Sequence, residues 1–124
     1  MAATVLLLED DRPLLEFFSS ILKRDGYKVL VAGTGREALE IANSRPDDRI
    51  DILLSDVAMP YMSGIQLAGF LKELRPSLRV LLTSGLPHEA VLDRCDPAFK
   101  AEFLPKPFSV ADLSSIVRRL ADDL

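Results

Sequence analysis

The 124-residue chain reads as an α/β protein built on a parallel sheet. Three observations predict this. Short apolar runs alternate with stretches whose apolar residues recur at helical spacing, five of each. The runs Val5-Leu6-Leu7-Leu8, Ile52-Leu53-Leu54 and Val80-Leu81-Leu82 are continuously apolar, as strands covered on both faces are. Polar residues suited to chemistry follow several of these runs, at the strand ends where open α/β sheets hold ligands. Crossovers between successive parallel strands are then right-handed.

The first run opens into the acidic loop Glu9-Asp10-Asp11. A helix follows from Pro13, which suits a first turn. Its stripe is Leu14, Phe18, Ile21 and Leu22, widened by Leu15 and Phe17, and Gly26 ends it. A second strand runs from Tyr27 to Ala32. After the turn Gly33-Thr34-Gly35, a helix starting at Thr34 or Gly35 presents Ala38, Leu39, Ile41 and Ala42 and stops before Pro46. The third strand, Ile52 to Leu54, delivers Asp56 to its carboxyl end. Met59-Pro60 then stops the ladder, because proline has no N–H. Gly64 permits the turn into a helix through Leu67, Ala68, Leu71 and Leu74. The fourth strand, Leu78 to Thr83, leads into Ser84-Gly85. A short helical segment with little periodicity, starting at His88, comes next. The fifth strand, Ala101 to Leu104, ends in Pro105-Lys106-Pro107-Phe108. Ser109 and Asp112 form a variant capping box for a fifth helix with Leu113, Ile116, Val117, Leu120 and Leu124 on one face.

Composition narrows the function. Hydrophobic content of 48% and charged content of 27% suit one globular domain, expected to span residues 1–124. A net charge of −4 and a pI of 4.9 argue against binding a nucleic-acid backbone. Cys95 and His88 are the only cysteine and histidine, so an internal disulfide and a zinc cage are excluded. Any metal must be a hard ion held by oxygens. No membrane-spanning stretch and no basic leader is present, so the expected location is the cytoplasm.

Taken singly, each polar group is ordinary. Glu9-Asp10-Asp11 is a solvated loop, Asp56 a helix cap, Ser84-Gly85 a turn, Lys106 a surface lysine. Taken together, three acids, a hydroxyl and an amine reach one edge of the sheet from separate strands. Crowded carboxylates repel, and a divalent cation of the Mg²⁺ type relieves that repulsion. A carboxylate nucleophile beside a metal and a lysine suits formation of an aspartyl phosphate.

These motifs, in this order, resemble the receiver domain of two-component response regulators: Glu9-Asp10, Asp56 with Met59-Pro60 and Gly64, Ser84-Gly85, and Lys106-Pro107-Phe108. The resemblance covers essentially the whole chain. It implies a flavodoxin-like, doubly wound five-stranded sheet of order 2-1-3-4-5 with five helices. It implies that Asp56 accepts a phosphoryl group from a phosphohistidine on a histidine kinase or histidine phosphotransfer protein. Mg²⁺ is then held by Glu9, Asp10, Asp56 and the backbone carbonyl of Ala58. Lys106 pairs with the phosphoryl group, Ser84 moves to hydrogen-bond it, and Phe103 rotates inward as the switch. The Lys106-Pro107 bond is expected to be cis.

Downstream partners are implied for the face of the fourth helix, fifth strand and fifth helix, with no nucleic acid and no membrane bound by this domain. The only reactions implied are self-phosphorylation from a donor and slow self-dephosphorylation. Ala58 and Leu86, two past the acceptor and two past the hydroxyl, cannot orient a water, which implies a long-lived phosphorylated state. The wording around Asp56 and Ser84 looks most like receivers of hybrid histidine kinases.

Departures are visible. Glu9 replaces the more frequent aspartate and lengthens one arm. Asp11 makes the acidic run three long, so Asp10-Asp11 is the alternative metal pair. Thr83 competes with Ser84 for the hydroxyl role, and Phe103 lacks a tyrosine's hydroxyl. The alternative function is a phosphate-independent interaction module on the same fold. A flavin-binding protein of this topology is disfavoured, because no Ser/Thr-rich phosphate loop follows the first strand.

Overall fold

The computed structural model describes residues 3–44, 49–57, 64–84 and 101–122. Five strands, β1 (Thr4–Leu8), β2 (Lys28–Ala32), β3 (Ile52–Asp56), β4 (Arg79–Ser84) and β5 (Glu102–Pro105), form one parallel sheet in the order β2-β1-β3-β4-β5. This is the order that the resemblance implies. The helices among the described residues are α1 (Arg12–Arg24), α2 (Gly35–Ser44), α3 (Gly64–Leu74) and α4 (Val110–Asp122). The short helix expected from His88, with Cys95 beyond it, lies outside the described residues.

Alternation along each strand explains the uninterrupted apolar runs. Successive side chains point to opposite faces, and both faces are covered. Leu6, Leu8, Leu53, Val80 and Leu82 pack against Ala38 and Ala42 of α2 and Leu67, Ala68 and Leu71 of α3. Val5, Leu7, Ile52, Leu54 and Leu81 pack against Leu15, Phe18, Ile21 and Leu22 of α1 and Leu113, Val117 and Leu120 of α4.

The helix ends follow local chemistry. The Asp11 side chain accepts the Leu14 N–H at 3.3 Å and caps α1, with Pro13 in the first turn. Lys23 and Arg24 sit in its last turn, where the helix dipole favours cations. Gly26 follows at φ 97°, a conformation that costs other residues a Cβ clash. Thr34 Oγ1 accepts the Glu37 N–H at 3.1 Å, and Glu37 Oε2 accepts the Gly33 N–H at 3.1 Å. At α4 the expected reciprocal pair forms: Ser109 Oγ accepts the Asp112 N–H at 3.0 Å, and Asp112 Oδ2 accepts the Ser109 N–H at 3.3 Å.

Two residues expected in the core face solvent. Phe17 is 53% exposed and Leu74 is 55% exposed. At 100° per residue the buried arc of α1 runs from Ile21 to Ser19, and Phe17 falls roughly 40° beyond its Ile21 edge. Leu74 lies on the buried side of α3 by angle, but it is the last helical residue, so no following turn covers it.

Candidate functional site

The site forms where β1, β3 and β5 end. Glu9 follows β1, with its N–H donating to Ala32 O at 3.2 Å, and its side chain is only 3% exposed. Asp10, the next residue, is exposed. Asp56 closes β3. Lys106 follows β5, and its N–H donates to Ser84 O at 2.8 Å, which ties this loop to the end of β4. The Lys106-Pro107 peptide bond is cis, as the resemblance implies.

From there Lys106 Nζ donates to Asp56 Oδ2 at 2.9 Å and reaches Glu9 Oε2 at 3.5 Å. Glu9 Oε1 accepts the Asp11 N–H at 3.3 Å. Glu9, Asp10 and Asp56 each offer a carboxylate oxygen, and these oxygens all lie within 4.8 Å of one another. Two oxygens bound to one Mg²⁺ are about 3.0 Å apart when cis and about 4.2 Å when trans, so the cluster would contract to close on an ion. The donors are all hard oxygens, so the residues present fit Mg²⁺. Asp11 is turned to capping α1 instead.

Electrostatics agree with a site that wants a cation. Burial pushes the Glu9 carboxyl above the usual range, and the neighbouring Asp56 charge adds to this, while Lys106 and the Asp11 N–H oppose it. Burial pulls Lys106 down, but hydrogen bonding to Asp56 and the charges of Asp56 and Glu9 outweigh it and hold the amine above the ordinary lysine value.

Ser84 and Thr83 are both buried, at 1% and 2% exposure. Thr83 is the registered partner of Asp56, and Leu82 that of Phe103. By alternation Ser84 shares a face with Leu82, and half-buried Phe103 packs on that same layer. Thr83 points to the other layer. Ala58, Met59, Pro60, Gly85, Leu86 and His88 lie outside the described residues.

Sequence reasoning missed several polar roles. Asp11 caps α1, a role that its place just before Arg12-Pro13 signals. Thr34 and Glu37 stand at capping-box spacing. Asp51 had no assigned role, yet it is 5% exposed, with Oδ2 accepting the Thr4 N–H at 2.8 Å and Oδ1 paired with Arg49. Ser114 Oγ donates to Asp25 at 2.6 Å across 89 residues, a contact with no local signal.

A five-stranded doubly wound sheet with acids and a lysine converging at its carboxyl edge defines a flavodoxin-like signalling fold. The family model described as "Response regulator receiver domain" matches residues 5–118, and the chain belongs to this family. It is 36% identical over 121 residues to the sensor kinase CckA of Brucella abortus, covering 98% of this chain and 13% of that protein. It is 32% identical over 116 residues to the response regulator receiver protein CpdR of the same organism, covering 94% of each. The receiver domain of a signal transduction histidine kinase from Syntrophus aciditrophicus superposes with a TM-score of 0.83 at 29% identity, covering 99% of this chain and 92% of that one. Receiver domains are signalling modules of two-component systems that interact with histidine kinases and downstream effectors. Among the described residues, no helix is long and apolar enough to cross a membrane.

Proposed function

We propose that this domain is a phosphorylation switch in which Asp56 takes a phosphoryl group from a phosphohistidine donor in a Mg²⁺-dependent reaction. The observation that carries the reading is the Lys106 ammonium, 2.9 Å from Asp56 Oδ2, beside three clustered carboxylates. An Asp56 carboxylate oxygen attacks phosphorus in line, the P–N bond to the donor imidazole breaks, and the imidazole leaves with the bonding pair. Lys106 is already in place to balance a phosphoryl oxygen, so little reorganisation is needed. Glu9, Asp10, Asp56 and the Ala58 carbonyl would hold Mg²⁺, which would supply charge stabilisation to the phosphoryl group. The domain catalyses only its own phosphorylation and slow dephosphorylation. Incubation with acetyl phosphate and Mg²⁺, followed by intact mass, tests the reading. No mass gain sinks it and favours a phosphate-independent module.

Metal dependence carries its own test. Mg²⁺ should raise the melting temperature, and Asp10→Ala should remove most of the rise. The rise should be larger at pH 7 than at pH 5. Metal binding needs ionised Glu9, so affinity falls as pH drops through its raised pKa. In the metal-free protein that raised pKa contributes stability below the unfolded value, and the contribution is lost as pH rises through the folded one. An equal rise at the two pH values contradicts the role of Glu9.

Ser84 and Phe103 share one face, which supports their moving together when the phosphoryl group recruits the Ser84 hydroxyl. The partner face is then the segment after Ser84 (the fourth helix of the sequence reading), β5 and α4, a two-state surface biased by new charge. Amide exchange with and without a phosphoryl mimic should change at residues 86–94 and around Phe103. Changes confined to the neighbourhood of Asp56 point to a passive carrier.

The lifetime follows from Ala58 and Leu86, neither of which can position a water through its side chain. Ala58→Asn with Leu86→Glu should speed dephosphorylation by about an order of magnitude, the low end for one positioned polar group. A wild type that decays as fast as the double variant removes support for a sustained signal. The chain spans 13%, 24% and 49% of several longer relatives, a sensor kinase and two transcriptional regulators, and nearly all of CpdR. We place its phosphodonor among histidine kinases or phosphotransfer proteins, in the cytoplasm, with residues 1–124 forming one domain.

A further inference from the structure

We propose that Ser55 is a positioning residue for phosphoryl transfer: its hydroxyl pins the peptide plane that follows Asp56 and so fixes the aim of that carboxylate. The proposal rests on the phosphoacceptor reading above and names a residue which that reading does not use. Ser55 is 0% exposed on β3. Abreast of it across the sheet stand Ala32, Leu8, Leu82 and Phe103, so it is the one polar residue in its row. Alternation puts its side chain in the layer of Leu53 and Val57, packed toward α2 and α3. Alanine or valine would suit that layer. Burying a hydroxyl there costs free energy that one hydrogen bond only partly offsets. Packing therefore does not explain the serine.

Its hydrogen bond does explain it: Ser55 Oγ donates to Asp56 O at 3.0 Å. The other polar group of that same peptide unit, the Val57 N–H, donates to Thr83 O at 2.9 Å. A peptide unit is planar, so holding its C=O on one side and its N–H on the other stops it from turning about the two bonds that flank it. One of those bonds starts at the Asp56 Cα, which also carries the side chain. The direction of the carboxylate is thereby constrained from the backbone, while Lys106 Nζ meets its Oδ2 at 2.9 Å from the other end. The same plane starts the chain toward Ala58, whose carbonyl belongs to the proposed metal set. Without the hydroxyl, this pair of restraints is reduced to the Val57 N–H. In-line attack is sensitive to such a loss, because a misplacement of about 1 Å can cost roughly a hundredfold in rate.

The test is the rate of labelling by acetyl phosphate at saturating Mg²⁺, read by intact mass, in the wild type, Ser55→Ala and Ser55→Thr. Ser55→Ala should label about fivefold to tenfold more slowly, the equivalent of one hydrogen bond. The loss should fall on the maximal rate and leave the half-saturating concentration of acetyl phosphate unchanged. Ser55→Thr keeps the hydroxyl and should restore most of the rate. A packing role predicts the opposite order, since the added methyl crowds a filled layer. Urea unfolding reports whether each variant is folded. Should Ser55→Ala not fold, Ser55→Cys takes its place, close in size with a weaker donor, and the same slowing is expected. A wild type that labels no faster than Ser55→Ala or Ser55→Cys overturns this inference alone, and so does a threonine variant as slow as the alanine one. A wild type that takes no label overturns the phosphoacceptor reading and this inference with it.

Discussion

Asp56→Asn should take up no phosphoryl group from acetyl phosphate and Mg²⁺, where the wild type gains the mass of one. The amide is nearly the same size as the carboxylate, so the end of β3 is preserved. Its nitrogen lone pair is delocalised and its oxygen is neutral, so the nucleophile is gone while the neighbours remain. Asp56 is the acid that closes a strand and meets the Lys106 ammonium at 2.9 Å. Glu9 is farther from that ammonium, at 3.5 Å, and is 3% exposed, which shields it from a donor. Asp10 is exposed and belongs to the same cluster, so it is the acid that a wrong assignment would select. Labelling of the Asn variant to the wild-type level, followed by peptide mapping to Asp10, would transfer the acceptor role. Lys106→Ala gives a graded comparison, because it removes the pre-placed charge but leaves nucleophile and metal ligands. Its labelling should slow by roughly a hundredfold or more, the scale measured when one preorganised charge-stabilising donor is lost.

Leu53→Ala should destabilise the domain by about 2–5 kcal/mol, the usual range for a buried leucine. Leu53 is 0% exposed on β3, the central strand, and packs in the layer with α2 and α3. Against a total stability on the order of 5–15 kcal/mol, that loss is a large fraction. Phe17→Ala makes the internal comparison. Phe17 is larger, yet it is 53% exposed on α1, so its truncation should cost clearly less than the core change. It is not wholly free, since its ring meets that of Phe18 at 6.1 Å between centroids. Urea unfolding of the two variants ranks them. Equal losses would mean that the side of α1 facing the sheet has been misplaced.

The helical spacing of α1 could not separate Phe17 from its neighbours. Leu14, Leu15, Phe17 and Phe18 are all apolar, and only the sheet beneath defines which arc is covered. The same holds for the acidic run. Glu9, Asp10 and Asp11 are chemically alike in a list, and the chain's path sends Glu9 inward, leaves Asp10 at the edge and spends Asp11 on the first turn of α1.

The amino-acid sequence by itself determined the kind of each element among the described residues. A run such as Val5 to Leu8 encodes its strand locally, because two covered faces demand apolar residues at every position. It also determined which residue types stand at strand ends: Asp56, Ser84 and Lys106 are each one or two residues past an apolar run. Receiver membership was legible from those motifs in order. The strand order was taken from the family, because neighbours in a parallel sheet are joined by long crossovers that leave no trace in local periodicity. Tertiary structure alone decided that Lys106 spans from β5 to Asp56 and Glu9, that Asp51 is buried against Thr4, and that Ser114 meets Asp25. Each of these contacts joins residues between 47 and 97 positions apart, and such pairs are fixed by how the layers close on the sheet, which no window along the chain contains.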